Sequence, residues 1–354
     1  MSQDGKRLTI FIATPLEEQY VERIRAVAPD RLEVIAEPDL WPPPRYVADH
    51  KGVSSFRRNA EQEARWRRHL ARADVLLDFA PQDADGAGGM ALAPKVRWVQ
   101  TTSSGVGQMV KELGFQDSDL LVTTARGVHA GPLAEFVFMA LLAQVKRLRH
   151  LQAEQTARHW ERYCGAELAG RTLAVVGAGQ VGARVAAVGR AFGMRVIGST
   201  RHAGAARAAA LGLDALFPPA GLHAMLGQAD AVVLSAPHTP ETENLIDAAA
   251  FAAMKDGVVF VNIGRGRSVD EDAMVAALRR GKIAFAALDV FAVEPLPPDS
   301  PLWAMQNVLV CPHSASTTHG ENGRITDIFC HNLRCYLDGR PDAMKNILDK
   351  QRLY

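Results

Sequence analysis

Three residues of complementary acid–base character stand just beyond three apolar runs in the last third of the chain. Arg265 lies in Asn262-Ile263-Gly264-Arg265-Gly266, Glu294 closes Leu288-Asp289-Val290-Phe291-Ala292-Val293-Glu294-Pro295, and His313 belongs to Cys311-Pro312-His313-Ser314. A guanidinium, a carboxylate and an imidazole together suit reduction of a 2-oxo acid. Arg265 would hold the substrate carboxylate in a two-pronged hydrogen bond and polarise the adjacent carbonyl. His313 would give its proton to the carbonyl oxygen as hydride arrives at C2, and take one back in the reverse direction. Glu294, if it bonds the other ring nitrogen, fixes the orientation of the imidazole. Each residue also has an ordinary reading, as a sheet-end ion pair, a surface acid before a proline, or a satisfied loop histidine. Three of them after successive strand ends favour the chemical one.

Such chemistry needs a hydride carrier, and Gly177-Ala178-Gly179-Gln180-Val181-Gly182 supplies a place for one. A GxGxxG is a weak signal alone, but this one follows the apolar run Leu173 to Val176 and opens an Ala- and Val-rich stretch. Gly177 would permit the tight turn, Gly179 would let the backbone approach a pyrophosphate, and Gly182 would allow close helix packing. After the next strand, Met194 to Gly198, an NAD-specific site places an acid for the ribose 2′-hydroxyl. Here the chain reads Ser199-Thr200-Arg201-His202. With no carboxylate to repel a 2′-phosphate, and with Arg201 and the hydroxyls to bind it, NADP(H) is preferred, and NAD(H) is the other option.

The elements that must position these groups are legible as alternation. From about residue 170, short β-branched runs at Leu173 to Val176, Arg195 to Gly198, Ala231 to Ser235, Val258 to Ile263, Ala284 to Leu288 and Val308 to Cys311 are separated by helix-length segments. That pattern implies an α/β fold with a doubly wound parallel sheet, its strands covered by helices on both faces. A looser repeat of it at Leu8 to Ala13, Glu33 to Ala36, Val75 to Phe79, Val96 to Gln100 and Leu120 to Thr123 implies a second, smaller α/β unit. Leu133 to Leu142 reads as a long apolar helix at an interdomain seam or subunit contact. Thr318 to Tyr336 reads as a helix that crosses back to the first unit. Trp41-Pro42-Pro43-Pro44 marks a surface loop, and the segment that follows through Arg58 is the least regular part of the chain.

Composition excludes other classes. With 354 residues, two domains are expected, and 40 Lys+Arg against 39 Asp+Glu give no excess of charge that would point to nucleic acid or a membrane surface. Arg57, Arg58, Arg65, Arg67, Arg68 and Arg72 form a basic group, but Glu61 and Glu63 interrupt it, and Trp66 and Leu70 mark a buried side, so a solvated helix face is expected. No window of 18 residues is apolar and uncharged, so no membrane span is expected. Leu8 to Ala13 is too short for a signal peptide and reads as a first strand. Cys164, Cys311, Cys330 and Cys335 form no CxxC pair and read as reduced thiols of a cytoplasmic protein, with no metal site expected at Cys330, His331 and Cys335.

These motifs, in this order, resemble those of the D-isomer-specific 2-hydroxyacid dehydrogenase family, which includes glyoxylate and hydroxypyruvate reductases and phosphoglycerate dehydrogenase. The matching stretches are Thr101 to Gly107, Thr124 to Gly127, Gly177 to Gly182, Pro237-His238-Thr239-Pro240-Glu241-Thr242, Asn262 to Gly266, Asp289 to Pro295, and Pro312-His313. The resemblance covers nearly the whole chain. It implies two Rossmann-like domains: a discontinuous, flavodoxin-like substrate domain of residues 1–124 and 320–354, and a dinucleotide-binding domain of residues 125–319. It implies that Arg265, Glu294 and His313 are the catalytic set, and that backbone amides around Ser104, Gly105 and Val106 bind the substrate carboxylate beside Arg265. It places Asp289 near the nicotinamide and adds Gln180, Val181, Pro237, Thr242, Ile263 and Gly264 to the cofactor contacts. It also implies a homodimer acting on a small 2-oxo or 2-hydroxy acid.

The chain departs from the family pattern in the missing acid after Gly198, in Ser314-Ala315-Ser316 where glycine-containing variants are frequent, and in a long Trp41 to Arg58 segment suited to shaping the substrate mouth. Glu294 argues against a formate dehydrogenase relative, which would carry Gln there. The rival reading is a dinucleotide-sensing binding protein without turnover, like the family's corepressor relatives; the retained Arg, Glu and His set weighs against it.

Overall fold

The branched apolar runs become strands of two parallel sheets in the computed structural model, which describes residues 7–81 and 88–353. The chain divides into two units, Met1–Val128 with Thr317–Tyr354, and His129–Ser316. The first unit is built from β1 (Leu8–Ile12), α1 (Glu18–Arg25), β2 (Leu32–Ile35), α2 (Ala60–Arg72), β3 (Val75–Leu77), β4 (Trp98–Gln100), α3 (Gly107–Glu112) and β5 (Leu121–Thr123). Its strand order is β2-β1-β3-β4-β5, all pairs parallel, so the chain reverses direction across the sheet between β1 and β3. Ligands bind outside the carboxyl ends of strands at such a switch point. The core carries Phe11 edge-on to Trp66 at 4.9 Å and Trp98 against Phe329 at 5.1 Å. Phe329 comes from the helix Glu321–Leu337, which belongs to this unit although it follows the other in sequence.

Helix α2 shows how arginines of its basic run are paired. Trp66 and Leu70 are buried, while Arg65 pairs with Glu37 at 2.7 Å and with Asp39, and Arg72 pairs with Glu33 at 2.7 Å. Arg58 leaves the row, its guanidinium 3.7 Å from the Trp66 ring centre and its Nε donating to Leu40 O. The proline-rich segment also differs from a plain surface loop. Trp41 is buried and its Nε1 donates to Ile12 O at 2.8 Å. Asp49, buried as well, accepts from the Arg45 amide and guanidinium and from the Lys51 amide. The Arg45 guanidinium beside Asp49 holds that carboxyl well below the usual carboxylate range. Side-chain bonds thus fix a stretch that has no regular ladder of its own.

The second unit runs α4 (Ala130–Val145), α5 (Leu148–Ala157), β6 (Thr172–Val176), α6 (Gln180–Ala191), β7 (Arg195–Ser199), α7 (Ala205–Ala210), β8 (Ala215–Phe217), α8 (Leu222–Leu226), β9 (Ala231–Leu234), α9 (Ala248–Ala253), β10 (Val258–Asn262), α10 (Glu271–Arg279), β11 (Ile283–Leu288) and β12 (Val308–Val310). Its parallel order is β12-β11-β10-β9-β6-β7-β8, with the crossover between β6 and β9. Along β6, Ala174 and Val176 enter one apolar cluster while Leu173 and Val175 enter the other. Alternate side chains serve opposite helix layers, which is why the strand reads as an unbroken apolar run. Helix α4, expected at a seam or subunit contact, buries Leu133, Val137, Phe138 and Leu141 in one of these clusters and packs on α6. The helix Glu321–Leu337 completes the series as α11. Among the described residues no helix is long and apolar enough to cross a membrane.

Candidate active site

The turn between β6 and α6 uses its three glycines for three different reasons. Gly177 has φ +94°, in the left-handed region, and a Cβ there would stand 2.5 Å from Ala236 N. A Cβ at Gly182 would come within 2.8 Å of Gly177 O and of Val175 Cγ1, so only glycine lets α6 approach β6 this closely. At Gly179 an added Cβ would meet nothing within 4 Å, which leaves open space in front of the helix start. Gln180 is exposed and Val181 half-buried beside it. The first N–H groups of a helix have no partner within it, and they point at that space with the positive end of the helix dipole. The cradle therefore fits a pyrophosphate.

At the end of β7, Ser199 is buried and its carbonyl accepts from Gly177 N and Ala178 N, tying the strand end to the turn. Thr200 follows, half-buried, and Arg201 is exposed. Glu241 has its carboxyl held below the ordinary value, first by the Thr239 hydroxyl and also by the charge of Arg201. Thr242, expected at the cofactor, has its hydroxyl spent inside the turn, donating to Pro237 O at 2.8 Å and accepting from Thr239 N at 2.7 Å. Its visible work is to shape the segment Pro237 to Thr242.

Arg265, Glu294 and His313 lie in this same unit, beyond the carboxyl ends of β10, β11 and β12. Asn262 pins the first turn: its Oδ1 accepts from Gly264 N at 3.1 Å and its Nδ2 donates to Arg265 O at 3.2 Å. Ile263 is buried, and the exposed Arg265 side chain donates to Gly264 O at 2.8 Å. Glu294 Oε2 lies 2.8 Å from His313 Nδ1, and Glu294 Oε1 accepts from Phe291 N at 3.0 Å. With Nδ1 engaged by a carboxylate, Nε2 is the nitrogen left to exchange a proton with a ligand. Both side chains remain accessible, the imidazole about half and the carboxylate about a third.

Asp289, which the family resemblance sets beside the nicotinamide, has another task in plain view. It is 2% exposed, and its Oδ1 accepts from Ser314 N at 2.8 Å and Ala315 N at 2.9 Å. Its carbonyl accepts from His313 N at 3.0 Å. Burial, together with a hydrogen bond and the negative charge of Asp289, pushes the Cys311 thiol up to about 12, so it stays protonated. Asp289 thus sets the turn in which His313 has φ +53°. The Ser314-Ala315 pair, which carried no functional meaning as sequence, supplies the amides this carboxylate needs.

In the other unit, Ser104, Gly105 and Val106 form the loop between β4 and α3. Val106 is buried, and Ser103 O accepts from the Thr101 hydroxyl at 2.7 Å and from Ala125 N at 3.1 Å. Gly107 closes the loop under the chain terminus, where a Cβ would stand 1.9 Å from Leu353 O. Two polar groups of this unit carried no signal in the sequence: Asp78, which accepts from the Thr102 hydroxyl at 2.6 Å, and His50, 3.3 Å from Thr14 Oγ1.

Known proteins resemble this chain in sequence and in fold. The family described as "D-isomer specific 2-hydroxyacid dehydrogenase, NAD binding domain" matches residues 138–315. A D-3-phosphoglycerate dehydrogenase of Mycobacterium leprae is 37% identical over 78% of this chain and 52% of its own, so the chain spans about half the length of that relative. A glyoxylate reductase of Aeropyrum pernix is 35% identical over 71% of this chain and 76% of its own. Among solved structures, an NADPH-dependent glyoxylate/hydroxypyruvate reductase of Sinorhizobium meliloti, in complex with NADP and sulfate, superposes with a TM-score of 0.75 at 26% identity, covering 98% of this chain and 100% of that one.

Proposed function

Since the chain belongs to the D-isomer specific 2-hydroxyacid dehydrogenase family, we propose that it is an oxidoreductase that moves hydride between a nicotinamide dinucleotide, NADPH in preference to NADH, and C2 of a small 2-oxo or D-2-hydroxy acid of the glyoxylate or hydroxypyruvate type. The observation that carries this reading is the 2.8 Å contact between Glu294 and His313 in the unit that also holds the open glycine turn. A bound dinucleotide supplies or takes the hydride. His313 Nε2 gives a proton to the substrate oxygen during reduction and removes it during oxidation. Glu294 keeps the ring in the tautomer that presents Nε2, and Arg265 pairs with the substrate carboxylate. The discontinuous unit is the substrate side, and amides of Ser104 to Val106 receive the carboxylate there.

The test is the initial rate of NADPH and NADH oxidation with glyoxylate, hydroxypyruvate, pyruvate and phenylpyruvate. Turnover that is faster with NADPH is expected; silence with every acid despite dinucleotide binding would replace this reading with a sensing protein. Arg201 is the residue proposed to read the 2′-phosphate. Loss of a charge-assisted hydrogen bond predicts that Arg201→Ala lowers the NADPH-to-NADH ratio of kcat/KM by about 10- to 100-fold. An unchanged ratio would assign the preference to other groups.

The enzyme is further proposed to act as a homodimer. Helix α5 has no buried residue, and Leu148, Leu151 and Tyr163 along this arm are exposed, with Trp160 95% exposed. Apolar side chains on an arm that buries none of its own helix fit a second copy of the chain. Light scattering should give a dimer mass, and Leu151→Asp combined with Trp160→Ala should give a monomer. A monomeric parent protein would remove this assignment.

A further inference from the structure

Asp78 stands one residue past β3, at the carboxyl edge of the first sheet and beside its switch point. Its φ of +69° lies in the left-handed region, which Asp and Asn tolerate better than most residues. Oδ1 accepts from Phe79 N at 2.9 Å and Oδ2 accepts from the Thr102 hydroxyl at 2.6 Å. An ionised carboxylate offers about four acceptor sites, so about half its capacity is still open. No ion pair to Asp78 is found among the described residues, and its side chain is half-buried.

The surroundings hold polar atoms that lack partners. His50 reaches Thr14, at the end of β1, through Nδ1, and its carbonyl accepts from the Thr14 hydroxyl at 3.1 Å. Its Nε2 is buried with no hydrogen-bond partner. Burial holds this imidazole below its ordinary value; of the carboxylates that act against that, Asp78 is the strongest, followed by Glu321, Glu17 and Asp49. The ring is therefore neutral at pH 7 and does not offset the charge of Asp78. Asn322, 2% exposed, donates to Glu17 Oε2 at 2.7 Å but leaves its own Oδ1 unpartnered. Buried polar atoms are nearly always paired, so these two are open to water or a polar ligand.

We propose that Asp78, held by Thr102 next to the Ser104 to Val106 loop, is a specificity-determining residue that accepts a hydrogen bond from a hydroxyl at C3 of the substrate and turns away acids bearing a second negative charge. The inference rests on the reading above, in which the substrate carboxylate is anchored at Ser104 to Val106. Ser104 is two residues from Thr102, hence its Cα is at most about 7.6 Å from that of Thr102. A three-carbon acid held there by C1 and extending toward Thr102 would bring its C3 substituent to Asp78, which the Thr102 hydroxyl contacts at 2.6 Å. A second carboxylate at about 6 Å from an unneutralised carboxylate, at an effective dielectric near 20, is disfavoured by roughly 100-fold, and a phosphate, which carries more than one negative charge, by more. A substrate lacking the hydroxyl leaves the acceptor unsatisfied and is also disfavoured. The chain would then differ in substrate class from its phosphoglycerate dehydrogenase relatives.

The experiment is kcat/KM for hydroxypyruvate, pyruvate, oxaloacetate and 3-phosphohydroxypyruvate, with the parent enzyme and with Asp78→Asn, a change that keeps the shape and suits the left-handed backbone. The parent enzyme should favour hydroxypyruvate by about 10-fold over pyruvate and by at least about 100-fold over each acid with a second anionic group. Asp78→Asn should raise the doubly charged acids relative to hydroxypyruvate by at least about 10-fold. A parent enzyme that prefers a doubly charged acid, or an Asp78→Asn variant with unchanged ratios, overturns the inference and leaves the dehydrogenase reading standing. Silence of the parent enzyme with every acid overturns both. If Asp78→Asn does not accumulate as folded protein, the parent panel alone decides.

Discussion

His313→Ala is expected to lower kcat by about 1,000-fold while leaving dinucleotide affinity within about threefold. The imidazole is fixed from both ends. Its Nδ1 is 2.8 Å from Glu294, and its backbone N–H donates to Asp289 O at 3.0 Å. Alanine removes the group that delivers the proton and touches nothing in the glycine turn, which lies on different loops of the unit. Because position 313 has φ +53°, His313→Asn serves as a companion that keeps the backbone at less strain. Steady-state rates with fluorescence titration of the dinucleotide separate chemistry from binding. If both variants retain kcat within about threefold, His313 is not the acid/base of the reaction.

Gly266→Ala is expected to cost about 3 kcal/mol of stability and to lower kcat by about 100-fold. A Cβ at this position would stand 1.9 Å from both C and O of Phe291 and 2.5 Å from Ala292 N. These are backbone atoms, so no side-chain rotation relieves the overlap, and the segment after β11 must move. Phe291 N donates to Glu294 Oε1, hence displacement of Phe291 carries Glu294 away from His313. Gly179→Ala is the contrast: its Cβ meets nothing within 4 Å, so the unfolding midpoint should hold while dinucleotide binding weakens. Denaturant unfolding and kcat of the two variants read these effects together. A Gly266→Ala protein with the parent midpoint and parent kcat would show that the strand end accommodates the methyl group at no cost to the site.

The strands of the second unit were legible because burial on both faces forces continuous apolar runs, as at Leu173 to Val176 and Val258 to Ile263. β8 carried no such signal. Ala215 to Phe217 is three residues long, half-buried, at the edge of the sheet, where one neighbouring strand and partial cover of each face ask little of the sequence. The apolar helix at Leu133 to Leu142 was legible as a helix, but which surface it covers was not, since an apolar face does not name its partner. Trp41 misled for a related reason. Its proline neighbours describe the local backbone, whereas its burial depends on Ile12 O, 29 residues away in sequence.

What the sequence alone determined are features with a local cause. The glycine spacing 177, 179, 182 follows from turn geometry and helix packing, the absence of an acid after β7 is a matter of residue identity, and the placement of Arg265, Glu294 and His313 follows from strand ends that apolar periodicity reveals. What only the tertiary structure decided are contacts between distant positions: Glu294 with His313 across 19 residues, Asp289 with Ser314 across 25, and Thr102 with Asp78 across 24. Hydrogen bonds act over about 3 Å of space, whatever the separation along the chain. Periodicity reports which face of an element is buried, and only the packed sheet determines which polar group from another strand end meets it there.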